Sequence, residues 1–507
     1  MQKMQQMNLN LKEFSDRVLG CWLGKAVGGT LGAPFEKKRQ INDVHFYEQE
    51  LNGEAAPNDD LDLQLIWLAA VELHGLYQLT PRLIGEFWLS NIPCPAGEYA
   101  VCRANLANGL FPPLSGACHN EALMYSNGAW IRSEIWACLF PGKPDEAIKF
   151  AYLDACADHC GEGIFAEMFT ASLESAAFIE HDLRKLLEIG LSKIPSDCRV
   201  ARGVRTVIAC HESGKDWLAA REAVLKECLP GLGWFQAPGN LAFMTLGLLY
   251  GEGDLGKTVC IAVNCGDDTD CTAGTAGAIL GIIQGAAALP QEWLKPIGRK
   301  IVTCAIEPSD HAPIPKDLDE LTERIVRRAQ IATLENRNLL RLTEAPTEIP
   351  NGYADSLKGS ETAQTIWERY PYELVFPLDF LELAIAYQDG PDFLPGQTKD
   401  LTIKVRFYTD HVDTLQFRWV TPPRWSINPA CGSLMIRSWY ENALSCSLTA
   451  ADFRQYCEYL KLEIRAGDRF YPVTLHVPVT LAGASAYPNI QTDYPPYLER
   501  RRRIIHR

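Results

Sequence analysis

The sequence predicts two kinds of structure in one chain: an all-α domain followed by an antiparallel β-sandwich. Three observations predict it. Up to about residue 340, apolar residues recur at helical spacing and two-residue alternation is weak. Residues 343–365 (TEAPTEIPNGYADSLKGSETAQT) are polar and rich in Pro, Gly, Ser and Thr, the composition of a linker. Beyond them, short runs alternate strictly between apolar and polar residues. The expected organisation is a helical domain over 1–342, a linker over 343–365, a sandwich over 366–485 and a tail over 486–507.

Within the helical part, Gly20, Gly24, Gly28 and Gly32 recur every four residues, as do Ala273, Gly277, Gly281 and Gly285. Such residues share one face of a helix. Each Gly costs a helix about 1 kcal/mol relative to Ala, so a glycine face needs an offsetting gain, most simply close helix-to-helix approach. Leu61–Leu79 is apolar around most of its circumference, which predicts a buried helix. Asp154–Phe178 has helical spacing, and Leu318–Leu334 reads as a charged amphipathic helix. In the sandwich, Leu401–Phe407 predicts a strand that buries Leu401, Ile403, Val405 and Phe407 and turns Thr402, Lys404 and Arg406 outward. Leu460–Ile464 and Thr474–Val479 continue the pattern.

Composition excludes some functions. The chain of 507 residues has a net charge of −15, which argues against a phosphate-backbone partner. Its one basic run, Arg500–Arg503, is expected to be a solvated end. The 17 cysteines are scattered without a C-x-x-C pair, so reduced, buried thiols are expected rather than a disulfide scaffold or zinc site. The opening residues lack the apolar core of a secretion signal, and the two long uncharged stretches are too broken by Pro, Asn and Gly to read as membrane spans.

Two acidic clusters stand just before predicted helices: Asn58-Asp59-Asp60-Leu61-Asp62 and Gly266-Asp267-Asp268-Thr269-Asp270. Helix capping needs one Asp. Three carboxylates crowded beside apolar helices repel one another unless neutralised. A hard divalent cation with oxygen ligands would do this; caps with solvated acids are the other reading.

Five motifs occur together in order: G-x-x-x-G-x-x-x-G-x-x-L-G-A-P-F-E (Gly20–Glu36), the Asp-Asp pair before a helix, N-G-A-W-I-R (Asn127–Arg132), Asp158-His159, and V-N-C-G-D-D-T-D (Val263–Asp270). On these residues the chain resembles the ADP-ribosylglycohydrolase family over roughly residues 15–335. The resemblance implies an all-helical fold, a binuclear Mg²⁺ centre and cleavage of the glycosidic bond joining ADP-ribose to an acceptor. Asp59 and Asp60, and Asp268 and Asp270, resemble its metal ligands, and Asn58 offers a carbonyl oxygen where the family has a ligating Thr. Glu36 resembles its catalytic glutamate. Asn127 and Gly128 resemble a loop near the ligand phosphates, and His159 a histidine that contacts the ribose. Arg132 is expected to hold the fold through an internal ion pair. Leu61 and Cys271 depart from ligating threonines, and Gly29 from a frequent Asp. Leu61 has no donor and a thiol suits Mg²⁺ poorly, so one or two ions are expected.

The expected function is a cytoplasmic, Mg²⁺-dependent glycohydrolase. It would cleave an ADP-ribosyl or related ribosyl or glycosyl bond of a small-molecule or ADP-ribosylated substrate by water attack at the anomeric carbon. Glu36, or Asp62 or Asp267 behind it, would move the proton. Three alternatives stay open. The C-terminal sandwich resembles Ig-like modules appended to carbohydrate enzymes, which favours a glycoside other than ADP-ribose. Leu61 and Cys271 favour a metal-dependent sugar- or nucleotide-binding protein without turnover. A helical scaffold whose sandwich recruits partners is the third.

Overall fold

The structure, a computed structural model, describes residues 7–484 apart from 95–96, 229, 308–311, 336–339, 379–380, 408–411 and 439–441. The tail 486–507 with its arginine run lies outside the described residues.

Two helices form the axis of the helical body: Leu11–Gly32 and Thr269–Gln284. Their glycine faces meet. A Cβ built on Gly20, Gly24 or Gly28 would stand 2.2, 2.0 or 1.9 Å from the carbonyl oxygen of Gly281, Gly277 or Ala273 respectively. No side chain fits in that seam, so the backbones touch directly. Gly285 belongs to the sequence stripe but lies just past the helix end, where it caps it.

The helix expected over Leu61–Leu79 begins earlier, at Asp59, and stops at His74, followed by a turn at Leu76–Gln78. Leu63, Leu65, Ile66, Trp67 and Leu68 are fully buried along it. The expected run Asp154–Phe178 is two helices, Pro144–Ala155 and Glu162–Ala177. Gly161, at φ +51°, breaks them apart, and the Asp158-His159 pair sits in the break. The amphipathic helix Leu318–Glu335 follows the predicted span closely.

Strand β1 (Met7–Asn10) pairs in parallel with β2 (Leu340–Thr343), tying the start of the helical body to its end. The segment 343–365, expected as a linker, carries helices Tyr353–Ser356 and Glu361–Trp367. It packs on the helical body through the Tyr353 hydroxyl, which donates to Gly142 O at 3.2 Å, and just past it Trp367 Nε1 donates to Lys193 O at 3.0 Å. Its polarity reflects one solvated face, while Ala363 and Ile366 are buried on the other.

The remaining strands are β3 (Glu373–Leu378), β4 (Leu381–Tyr387), β5 (Asp392–Phe393), β6 (Gln397–Phe407), β7 (Asp413–Val420), β8 (Ser426–Asn428), β9 (Cys431–Ile436), β10 (Asn442–Ala450), β11 (Cys457–Ala466) and β12 (Val473–Leu481). They form two five-stranded sheets, ordered β3-β4-β6-β10-β8 and β5-β12-β11-β7-β9. Pairing is antiparallel except for the short β5–β12 contact. In β6, Leu401, Ile403, Val405 and Phe407 are at most 2% exposed, as the alternation predicts; of the three residues expected outward, Arg406 faces solvent while Thr402 and Lys404 are half-buried. The sheets touch the helical body through His119, whose Nε2 lies 2.9 Å from the Asp392 carboxylate, and through the Tyr459 hydroxyl, which donates to Asn108 O at 2.8 Å. All 17 cysteines are free thiols, fourteen of them buried.

Candidate metal centre

The glycine seam brings the two acidic regions together. The first central helix runs through a short turn, Ala33–Phe35, into Glu36. The next residues are stitched to the start of the second: Lys37 N–H donates to Asp267 O at 3.0 Å and Asp267 N–H to Lys38 O at 2.9 Å. Gly266, at φ +76°, makes this possible, because a Cβ there would stand 2.1 Å from Gln40 O. The Arg39 guanidinium grips the Asp267 carboxylate at 2.7 Å and reaches the carbonyls of Leu232 and Gly233. Asp267 is thus engaged in anchoring the loop. Asp62 is engaged likewise, its Oδ2 accepting the N–H groups of Cys304 and Ala305 at 2.6 and 2.7 Å. Both of these carboxylates, expected as possible proton carriers, have partners within the chain.

Glu36, Asp268 and Asp270 present carboxylate oxygens within 4.8 Å of one another. This donor set is all hard oxygen, and it fits Mg²⁺ or a similar ion. Asp268 is 3% exposed. Burial raises its pKa well above the ordinary carboxylate range, and the charges of Asp270 and Glu36 add to the effect. A cation would relieve that crowding. Asp268 is oriented from behind by Asn127, whose Nδ2 donates to Oδ2 at 2.7 Å, while its own N–H donates to Asn240 Oδ1 at 3.0 Å. Asn127 is completely buried and its Oδ1 also receives Trp130 Nε1 at 3.0 Å. Its amide therefore braces a carboxylate.

A second trio, Asp60, Asp270 and Cys271, also lies within 4.8 Å. Asn58 caps its helix, accepting the Asp60 N–H at 2.9 Å, and its amide nitrogen fills the space over Gly29. Asp59 accepts the Tyr99 hydroxyl at 3.2 Å. Leu61 is partly buried at the same helix start.

Beside these groups, a Cβ on Gly128 would stand 2.2 Å from Glu98 Oε1, so any larger residue there would displace the Glu98 carboxylate. Arg132 is fully buried with Asp154 at 2.7 Å and Asp158 at 2.6 Å, and it also donates to Gly128 O. It makes the internal ion pair that the sequence predicts. For Asp158, burial works to raise the pKa, and Arg132 with His159 outweighs it, bringing the value to about 2. His159 is 1% exposed, with Nδ1 2.8 Å from Asp158 Oδ1 and Nε2 3.0 Å from Ser126 Oγ. Both ring nitrogens face groups of the chain.

Sequence reasoning missed Lys25, Glu134, Gln64 and Glu98. Lys25 is 3% exposed, 2.6 Å from Glu134 and 3.6 Å from Asp60. Gln64 Nε2 links Glu134 Oε2 to Asp60 O at 2.8 Å each. The signal for Lys25 was present: it is the lone charge in the apolar run Val18–Leu31. Glu98 is 2% exposed; burial, then Asp158, raises its pKa to about 8.

The helical body gathers carboxylates from two distant helix starts into one cluster able to hold a metal ion. Residues 10–333 match the profile described as ADP-ribosylglycohydrolase, and the chain belongs to that family. Among curated proteins none matches the chain. No helix among the described residues is long and apolar enough to cross a membrane.

Proposed function

We propose that this protein is a Mg²⁺-dependent glycohydrolase acting on an ADP-ribosyl or related ribosyl or glycosyl bond. The observation that carries this reading is the convergence of Glu36 with Asp268 and Asp270, residues more than two hundred positions apart in the chain, within 4.8 Å. Asp268, Asp270 and one oxygen of Glu36 would hold the ion. A bound Mg²⁺ orients sugar hydroxyls and lowers the pKa of a coordinated water. Glu36 is the side chain of the trio most open to solvent, at 12% exposure, and it takes the proton of the attacking water. Negative charge from Asp59 and Asp268 favours the oxocarbenium-like transition state of glycoside cleavage. Gly128 offers backbone close to the site without a side chain in the way. His159 holds Ser126 beside Asn127 and so shapes the loop that would contact substrate. The sandwich contributes no catalytic group in this reading.

The test is release of product from a panel: ADP-ribosylated peptides, O-acetyl-ADP-ribose, nucleosides and aryl glycosides, each with Mg²⁺. Turnover of an ADP-ribosyl member supports the reading. Turnover of aryl glycosides alone redirects it to another sugar, and binding without turnover of any member refutes the enzyme reading.

A further inference from the structure

Resting on the metal-site reading above, we infer that this chain holds one divalent ion and not two. The ion belongs to Glu36, Asp268 and Asp270, and the Lys25 ammonium, 3.6 Å from Asp60 Oδ2, already balances the carboxylate that a second ion would need.

The argument starts from Asp60. It is 1% exposed, and each of its oxygens faces a group of the chain. Oδ2 lies 3.6 Å from Lys25 Nζ and Oδ1 lies 3.6 Å from Cys271 Sγ. The ammonium sits in a nest of oxygens: the carbonyl of Ile131, Glu134 Oε1 at 2.6 Å, Thr275 Oγ1 at 3.3 Å and Asp60 Oδ2. The backbone that carries it is fixed. Lys25 lies on the helix next to Gly24 and one turn before Gly28 and Gly29, and Gly24 and Gly28 are in backbone contact with the partner helix. A compact positive charge is therefore fixed on the rear of Asp60.

The donor set gives the same answer independently. The second trio substitutes a thiol for one oxygen, and thiols are poor partners for Mg²⁺. Leu61, at the start of the Asp59–His74 helix, offers no donor. A divalent ion on Asp60 would meet a fixed ammonium on one side and a soft ligand on the other. The first trio has neither obstacle.

Counting ions on the full chain tests this. Isothermal titration with Mg²⁺, and Mn²⁺ titration followed by the electron paramagnetic resonance of free Mn²⁺, should each give one site per chain. Asp268→Asn should abolish it. The double variant Lys25→Met/Cys271→Thr, which removes the ammonium and restores an oxygen donor, should gain a second equivalent while keeping the first. Two sites in the unmodified protein would overturn the inference and leave the metal-site reading standing. No site at all would overturn both. A folded double variant that still binds one equivalent would show that Lys25 and Cys271 do not set the count. If the double variant does not fold, Cys271→Thr alone gives the arm: Mn²⁺ competing there no better than in the unmodified chain supports the part assigned to Lys25, and a second full equivalent refutes it.

Discussion

Gly28→Ala tests the seam that aligns the site. An added Cβ would stand 1.9 Å from Ala273 O, 2.1 Å from Ala273 C and 2.5 Å from Gly274 N. Ordinary contact begins near 3.4 Å, so the helices must separate by about 1.5 Å. The obstacle is backbone, which cannot rotate away as a side chain would. Overpacking costs about 1–3 kcal/mol where side chains can adjust, and the upper end applies here. The better helix propensity of Ala returns about 1 kcal/mol. The net loss is about 2 kcal/mol or more, read by thermal or chemical unfolding. Gly28 is one turn, about 6 Å, from the helix end that leads to Glu36, and it faces the turn that carries Asp270. Opening the seam there pulls the carboxylates apart, so Mg²⁺ affinity should fall with stability. Gly20→Ala clashes comparably, at 2.2 Å from Gly281 O, but some 18 Å from the Gly32 end. It should lose stability and keep most of its Mg²⁺ affinity. A Gly28→Ala protein that melts at the unmodified temperature and binds Mg²⁺ unchanged would refute the reasoning.

Asp268→Asn and Asp60→Asn should leave circular dichroism intact. The first should abolish Mg²⁺ binding by calorimetry, and the second should cut turnover with a smaller effect on affinity. Glu36→Gln should lower turnover by about 10²–10⁴-fold, the range for a positioned acid–base group; near-normal kcat would remove Glu36 from the mechanism. Arg132→Ala strands Asp154 and Asp158 without their cation and should cost roughly 3–5 kcal/mol of stability, measured by urea unfolding. Glu98 has a folded pKa raised to about 8, above its unfolded value. Its contribution to stability is therefore fully present below the unfolded pKa and lost as pH rises through about 8. Glu98→Gln should flatten the fall of melting temperature between pH 5 and pH 9, and an unchanged slope would count against the buried proton.

The glycine stripes make the central seam legible in the sequence, because a cost in helix propensity repeated every four residues must be offset, and direct backbone contact offsets it. The acidic helix starts are legible for a similar reason: crowded carboxylates need neutralising. The partition of the acids is not legible. Asp62 and Asp267 look like Asp59 and Asp268 in sequence, yet backbone N–H groups and Arg39 engage them, and those partners lie far away in the chain. The break at Gly161 is hidden because apolar spacing continues on both sides of it. The segment 343–365 reads as a linker because composition records its solvated face and not the few residues, such as Trp367 just past it, that dock. Glu98 leaves no trace, since the loop at Gly128 that it meets lies elsewhere in the chain.

The most direct measurement is hydrolysis of ADP-ribosylated peptide and O-acetyl-ADP-ribose by the full-length protein, with and without Mg²⁺, beside Asp268→Asn as control. The account predicts release by the unmodified protein only when Mg²⁺ is present, and none by the variant. Equal release by the Asp268→Asn protein, or by the unmodified protein after exhaustive chelation, would contradict it.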